Sequence, residues 1–340
     1  MCVKKNVRYN TGMTETQIIG YGLTAELIDQ CGPDPATAAT RVRNSGLDGV
    51  FLKVLDPVTV AACKDAGLAV YASQGIFVAD DDLWARFPGS RPLTASGEPA
   101  PVEEWYHPAL PTDPDFRALR LAQVEATLAH VPLDGLWLDF IRWPARWEKR
   151  TPHLYHSSFD PVTLARFAAD AGVTLPDTVP GVAGWILDHA ADVWWAWRCR
   201  QIAAFVGDVA ALRDRIRPAA QLGVFTIPWT GTDLDALPLP QANIRIVGQD
   251  PVRLQEHADV LSPMVYHRLC GRAADWPAAV SAHLAGQVET AVWPVIELLA
   301  DDDGYAPAEF AAVLAACQRA GSGPVIVFNL AGWLHRHASG

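Results

Sequence analysis

The sequence predicts an α/β fold, a (β/α)8 TIM barrel with long loops after strands three and four, on three observations. Short β-rich apolar runs alternate with helix-like stretches, and the alternation repeats eight times. No G-x-G-x-x-G turn opens a helix after the first run, as the open dinucleotide-binding sheet would require. The 340 residues suffice for such a barrel, which takes about 250, with length left for loops. A doubly wound open sheet is the alternative.

Taken in order, the runs are QIIGYGL (17–23), GVFLKVL (49–55), LAVYASQGIFV (68–78), GLWLDFI (135–141), QLGVFTIPW (221–229), DVLSPMVYH (259–267), TAVWPVIEL (290–298) and GPVIVFNL (323–330). The fourth, GLWLDFI, is too short for a helix and is bounded by Gly135 and Pro144, so it reads as a strand buried on both faces. Between the runs lie helical stretches such as DPATAATRVRNSG, FRALRLAQVEATLAHV, DVWWAWRCRQIAAFVGDVAALRDRI and PAEFAAVLAACQRAG. The expected organisation is a tail over residues 1–13, with Met13 as an alternative start, and one barrel domain over residues 14–340. Two connections exceed plain loops: residues 79–116 after the third run and 143–162 after the fourth, both rich in aromatics. Long loops in a compact domain are usually functional, and these would rise over the C-terminal face where barrel enzymes build their sites.

Composition narrows the partners. A net charge of −11 with no basic stripe disfavours nucleic acid. The six cysteines (Cys2, Cys31, Cys63, Cys199, Cys270, Cys317) form no C-x-x-C pair, which disfavours a zinc cage or a disulfide framework. The N-terminal MCVKKNVRYNTG lacks an apolar export core, and no run of about 18 apolar residues occurs. The expectation is a cytoplasmic protein with no membrane partner, its oligomeric state open. A metal-dependent hydrolase would want His-x-His on strand one, which reads IIGYGL, and His153 with His156 are the only close histidine pair with an acid nearby. No P-loop, G-x-S-x-G elbow or glycine-rich phosphate loop is present, so neither metal, cofactor nor phosphorylated substrate is expected.

Chemistry enters where an acid interrupts an apolar run. In LDGLWLDFIRWP (133–144), Asp139 is the one acid within the apolar run GLWLDFI (135–141), and Glu297 is the one acid in TAVWPVIELL. A buried carboxylate is costly unless paired or solvated, so each should sit where its strand ends and a cleft begins. Facing each other across the barrel mouth, the two would suit glycosidic cleavage, in which one carboxyl protonates the leaving oxygen and the other attacks or activates water. The alternatives remain open: Asp139 as a helix cap or a partner of Arg142, and Glu297 as a helix-start carboxylate, with Asp250 in GQDPVRL as the fallback acid. Substrate contacts are expected from Tyr21, Lys53, Gln74, Arg142, Tyr266, His267 and Asn329 near strand ends. Thirteen tryptophans are many for this length. Trp84, Trp105, Trp143, Trp147, Trp229 and Trp333 fall after strands or in long loops, where flat rings could receive sugar faces, whereas Trp185, Trp194, Trp195 and Trp197 read as helix packing. A non-catalytic carbohydrate-binding barrel is the second reading, and an enzyme on a non-sugar polyol the third.

The run DGLWLDFIRWP resembles the strand-four signature of the bacterial glycosyl-hydrolase-like family 10. HPALPTDPDFRALRL, WAWRCRQIAAFVGDV and ADVLSPMVYH support the resemblance, which covers roughly residues 68–270. It implies a (β/α)8 barrel, glycoside hydrolase activity on polysaccharides including bacterial wall glycans, and Asp139 as the catalytic carboxylate of strand four. It leaves the residue at the position of Glu297 open, as acid or amide.

Overall fold

The computed structural model describes residues 17–102, 106–176, 179–231, 241–300 and 304–337. The expected tail, the Met13 start, Cys2 and Trp105 lie outside the described residues. The strands are β1 (Ile18–Leu23), β2 (Gly49–Leu52), β3 (Ala69–Gly75), β4 (Val78–Ala79), β5 (His107–Pro108), β6 (Gly135–Asp139), β7 (Gln221–Thr226), β8 (Val260–Pro263), β9 (Ala291–Val292), β10 (Val295–Glu297) and β11 (Val325–Phe328). Apart from the small antiparallel pair β4–β5, they form one parallel sheet in the order β10-β11-β1-β2-β3-β6-β7-β8-β9.

β9 and β10 are two halves of the predicted seventh run, split at Trp293-Pro294 because proline brings no N–H to a ladder. Across the split, Met264 pairs with Val295, and the Val265 N–H donates to the Val295 carbonyl at 2.9 Å. With β9 on β8 and β10 on β11, the sheet curls back on itself into a barrel-like ring. Neighbours in sequence are neighbours in the sheet, which rules out the doubly wound order. All eight runs became strands, and their C-terminal ends share one rim.

Local chemistry places the helices outside. Those starting at Pro35, Pro57, Pro114, Pro161 and Pro251 each open with Asp-Pro: the aspartate accepts a first-turn N–H, and proline fills a position whose N–H has no helical partner. The barrel interior is filled by rings. Tyr21, Phe51, Tyr71, Trp137, Phe225 and Phe328 come from six strands, joined by Trp293 from the break in the seventh run. Trp137 is central, with centroids of Phe51, Tyr71 and Trp293 at 5.2–5.3 Å and its indole N–H donating to Ser262 Oγ at 2.9 Å. Alternation along β6 puts Gly135, Trp137 and Asp139 on one face, so the packing of Trp137 aims Asp139 at the mouth.

Candidate active site

Asp139 ends β6 half-buried, and the chain turns immediately beyond it. Phe140 takes a φ of +49°, an uncommon conformation for a bulky residue, and its N–H donates to Asp139 Oδ1 at 2.8 Å. Ile76 N donates to the Asp139 carbonyl at 2.8 Å, fixing the turn from the β3 side. Burial pushes the Asp139 carboxyl above the usual carboxylate range; the Phe140 N–H, Lys53 and Arg142 pull it down, and the charge of Glu148 pushes it up.

Around it stand groups from neighbouring strand ends. Tyr21 of β1 is buried, accepts a hydrogen bond from Lys53 Nζ at 2.8 Å and shares one with Ser73 Oγ at 3.0 Å. Burial raises the Tyr21 phenol, and the negative charge of Asp139 raises it further, so it stays protonated at neutral pH. Tyr266, just beyond β8, is stacked between Trp147 (5.6 Å) and Phe328 (5.4 Å). Its phenol is raised well above its ordinary value by burial, then by Asp139, Tyr21, Glu148 and Glu297. Beside Tyr21, a cleft of about 300 Å³ is lined by Lys53, Phe328, Asn329 and the start of the helix Ala25–Cys31.

Arg142 is 3% exposed and serves the loop: its Nη1 donates to the Ala145 carbonyl at 2.8 Å and to Tyr106 Oη at 3.3 Å. Asn329 lines the cleft, while its Oδ1 accepts the Gly332 N–H at 3.0 Å.

Other expected site residues lie elsewhere. Gln74 points outward, its Oε1 accepting from Thr127 on the helix Pro114–His130; alternation makes Ser73 the β3 residue that reaches the mouth. Asp250 caps the helix Pro251–Leu254 through Val252 N and pairs with Arg253 at 3.3 Å, which takes it out of contention as the fallback acid. His267 is 1% exposed and sits between two acids, with Nδ1 3.1 Å from Glu297 and Nε2 3.4 Å from Glu309.

Four of the tryptophans expected to receive sugar faces, Trp143, Trp147, Trp229 and Trp333, are packing groups. Trp143 donates to the Arg198 carbonyl at 3.2 Å, Trp229 packs on Trp276 and Trp333 donates to Ser45; all three are buried, as is Trp147. Phe140, half-buried, follows Asp139 in the chain, and Phe328, also half-buried, lines the cleft.

Glu297 ends β10, the C-terminal half of the predicted strand seven, but its carboxylate is 1% exposed. It accepts the Arg268 N–H at 2.5 Å and the Leu269 N–H at 3.2 Å, besides lying against His267. A carboxylate so engaged holds the loop after β8 and is not displayed to a cleft. Sequence reasoning passed over Glu148, in the loop after β6, whose charge acts on Asp139 and Tyr266. Its position in the polar stretch EKR gave no periodic signal.

The parallel barrel-like sheet has counterparts among solved structures. The structure is similar to the PgaB (BpsB) glycoside hydrolase domain from Bordetella bronchiseptica, with a TM-score of 0.67 and 15% identity over 95% of this chain and 96% of that one. It is also similar to β-galactosidase from the psychrophilic Marinomonas ef1 (TM-score 0.61, 12% identity, 92% of this chain). Alpha-L-fucosidase isoenzyme 2 from Paenibacillus thiaminolyticus gives a TM-score of 0.56 at 14% identity over 96% of this chain. The chain spans about half the length of the last two, 54% and 48%. At these identities the likeness is one of fold. No protein-family model and no curated protein sequence matches the chain. Among the described residues, no helix is long and apolar enough to cross a membrane.

Proposed function

We propose that this chain is a glycoside hydrolase acting on an oligo- or polysaccharide, with Asp139 as the acid that protonates the leaving glycosidic oxygen. The observation that carries this is the placement of Asp139: a half-buried carboxyl at a strand end, aimed at the rim, in surroundings that favour its protonated form. A general acid needs a proton near neutral pH, and burial supplies that tendency. Tyr21, Lys53, Tyr266 and Asn329 would hold sugar hydroxyls, and Phe140 and Phe328 would receive ring faces. The strand-four run DGLWLDFIRWP, with its resemblance to the glycosyl-hydrolase-like family 10, and the fold likeness to glycoside hydrolase domains both support the reading.

The test is a release assay on aryl glycosides and bacterial glycans, with Asp139→Asn beside the native protein. Turnover by the native chain that falls at least about a hundredfold in the variant is expected, the usual scale for losing a general acid. Turnover untouched by the substitution would remove Asp139 from the chemistry.

A further inference from the structure

The reaction needs a second carboxyl group, and Glu297 is committed to backbone amides and His267. The loop after β6 carries another. Three ties fix that loop. Arg142, itself buried, holds the Ala145 carbonyl; Arg146 and His153 exchange backbone hydrogen bonds of 3.1 and 2.8 Å; and the buried indole of Trp147 lies on the Tyr266 ring, 26° from parallel. Glu148 follows Trp147 directly, its side chain 17% exposed. Its Oε1 lies 2.7 Å from Arg146 Nη1, and its Oε2 accepts the Trp147 N–H at 3.1 Å. The Tyr266 ring on which Trp147 lies is itself 5.4 Å from that of Phe328, which lines the cleft beside Tyr21, so Glu148 follows directly on the ring stack at the rim. Its charge also raises the Asp139 carboxyl and the Tyr266 phenol.

We propose that Glu148 is the second carboxylate of the site, the base that takes a proton from the attacking water. The assignment rests on the glycosidase reading above. In the step, the water oxygen bonds to the anomeric carbon as the bond from that carbon to the leaving oxygen breaks. Asp139 gives its proton to the leaving oxygen, and the water's proton passes to Glu148, so the acid ends ionised and the base protonated. Both Glu148 oxygens already accept one hydrogen bond each, which suits holding a water through a remaining lone pair better than forming an ester. Arg146 and the Trp147 N–H keep the carboxylate aimed without a structural change during the reaction.

The test compares Glu148→Ala, Glu148→Gln and Glu297→Ala on a glycan or aryl glycoside that the native protein cleaves, with and without sodium azide. The expected result is a loss of about 10² to 10⁴ in kcat/KM for both Glu148 variants. Azide should restore turnover to Glu148→Ala, with a glycosyl azide as product, because a small anion needs no base. A purely structural residue would not give that product. Glu148→Gln preserves shape and the acceptor for Trp147, so it reads the chemistry even where the alanine variant folds poorly. Native kcat/KM in Glu148→Gln, or azide rescue of Glu297→Ala instead, overturns the assignment while leaving the glycosidase intact. A native chain that cleaves nothing on the panel overturns the glycosidase reading and this assignment with it.

Discussion

Asp139 illustrates how one residue can stand against stability and for function. Its folded carboxyl is raised by burial above the unfolded value of about 3.9. Below that value both states hold the proton and the group contributes nothing to stability. Above it the unfolded chain releases the proton while the folded chain is reluctant to, so the folded state is penalised, fully so once pH passes the folded value. Asp139→Asn should therefore melt higher than the native protein at pH 7, by a few degrees at most, with the gain gone below about pH 4. Thermal unfolding at both pH values checks this, and a lower melting point at pH 7 would mean that the ionised form is well supported after all. The position was legible in the sequence because a single acid in an apolar run has few places to go. Gln74 was misjudged for the converse reason: a strand alternates faces, and placing the turning point one residue late chooses the outward side chain in place of Ser73. Trp143 and Trp333 were misjudged because the sequence shows that a ring follows a strand but not whether a helix lies over it.

At the scale of elements, β6 and β7 make room for each other. Trp137 occupies the barrel interior only because β7 offers Gly223 opposite it: a Cβ built there would lie 2.0 Å from the indole Cε2. Gly135 on the same strand as Trp137 leaves similar room, with a Cβ 2.6 Å from the indole Cζ3. The indole is enclosed by Phe51, Tyr71 and Trp293 and tied to Ser262, so it has no second position to take. Gly223→Ala should cost on the order of 3 kcal/mol by overpacking, read as a lower denaturation midpoint, and should weaken activity because Trp137 aims Asp139. An alanine variant with native stability would show that the indole can move. The apolar runs made the strands legible, and the Asp-Pro pairs mark five helix starts in hindsight. The break at Pro294 was not read, although the proline stood in the run, because a rim strand tolerates what a central ladder does not.

For the whole molecule, the question is what closes the ring at the side where the seventh strand is broken. β9 pairs with β8 for only two residues, Ala291 and Val292, before the chain crosses Pro294 and continues as β10 against β11. Glu297 spans the weakened seam: fixed in β10, it accepts the N–H groups of Arg268 and Leu269 from the loop after β8 and lies against His267, which reaches on to Glu309 of the helix Pro307–Ala320. A strand, a loop and a helix thus meet at one buried carboxylate, whose removal would leave two N–H groups without their acceptor and the imidazole without its neighbouring charge. Glu297→Gln keeps the size but offers one acceptor oxygen where two were used, and turns an NH₂ toward a donor. It should lower stability by about 2 kcal/mol or more, with a matching fall in the urea midpoint. Any loss of turnover should then shrink at lower temperature, where the seam is held, and azide should not restore it. A variant of native stability whose turnover has vanished would instead make Glu297 a participant in the chemistry and return the second carboxylate to strand seven.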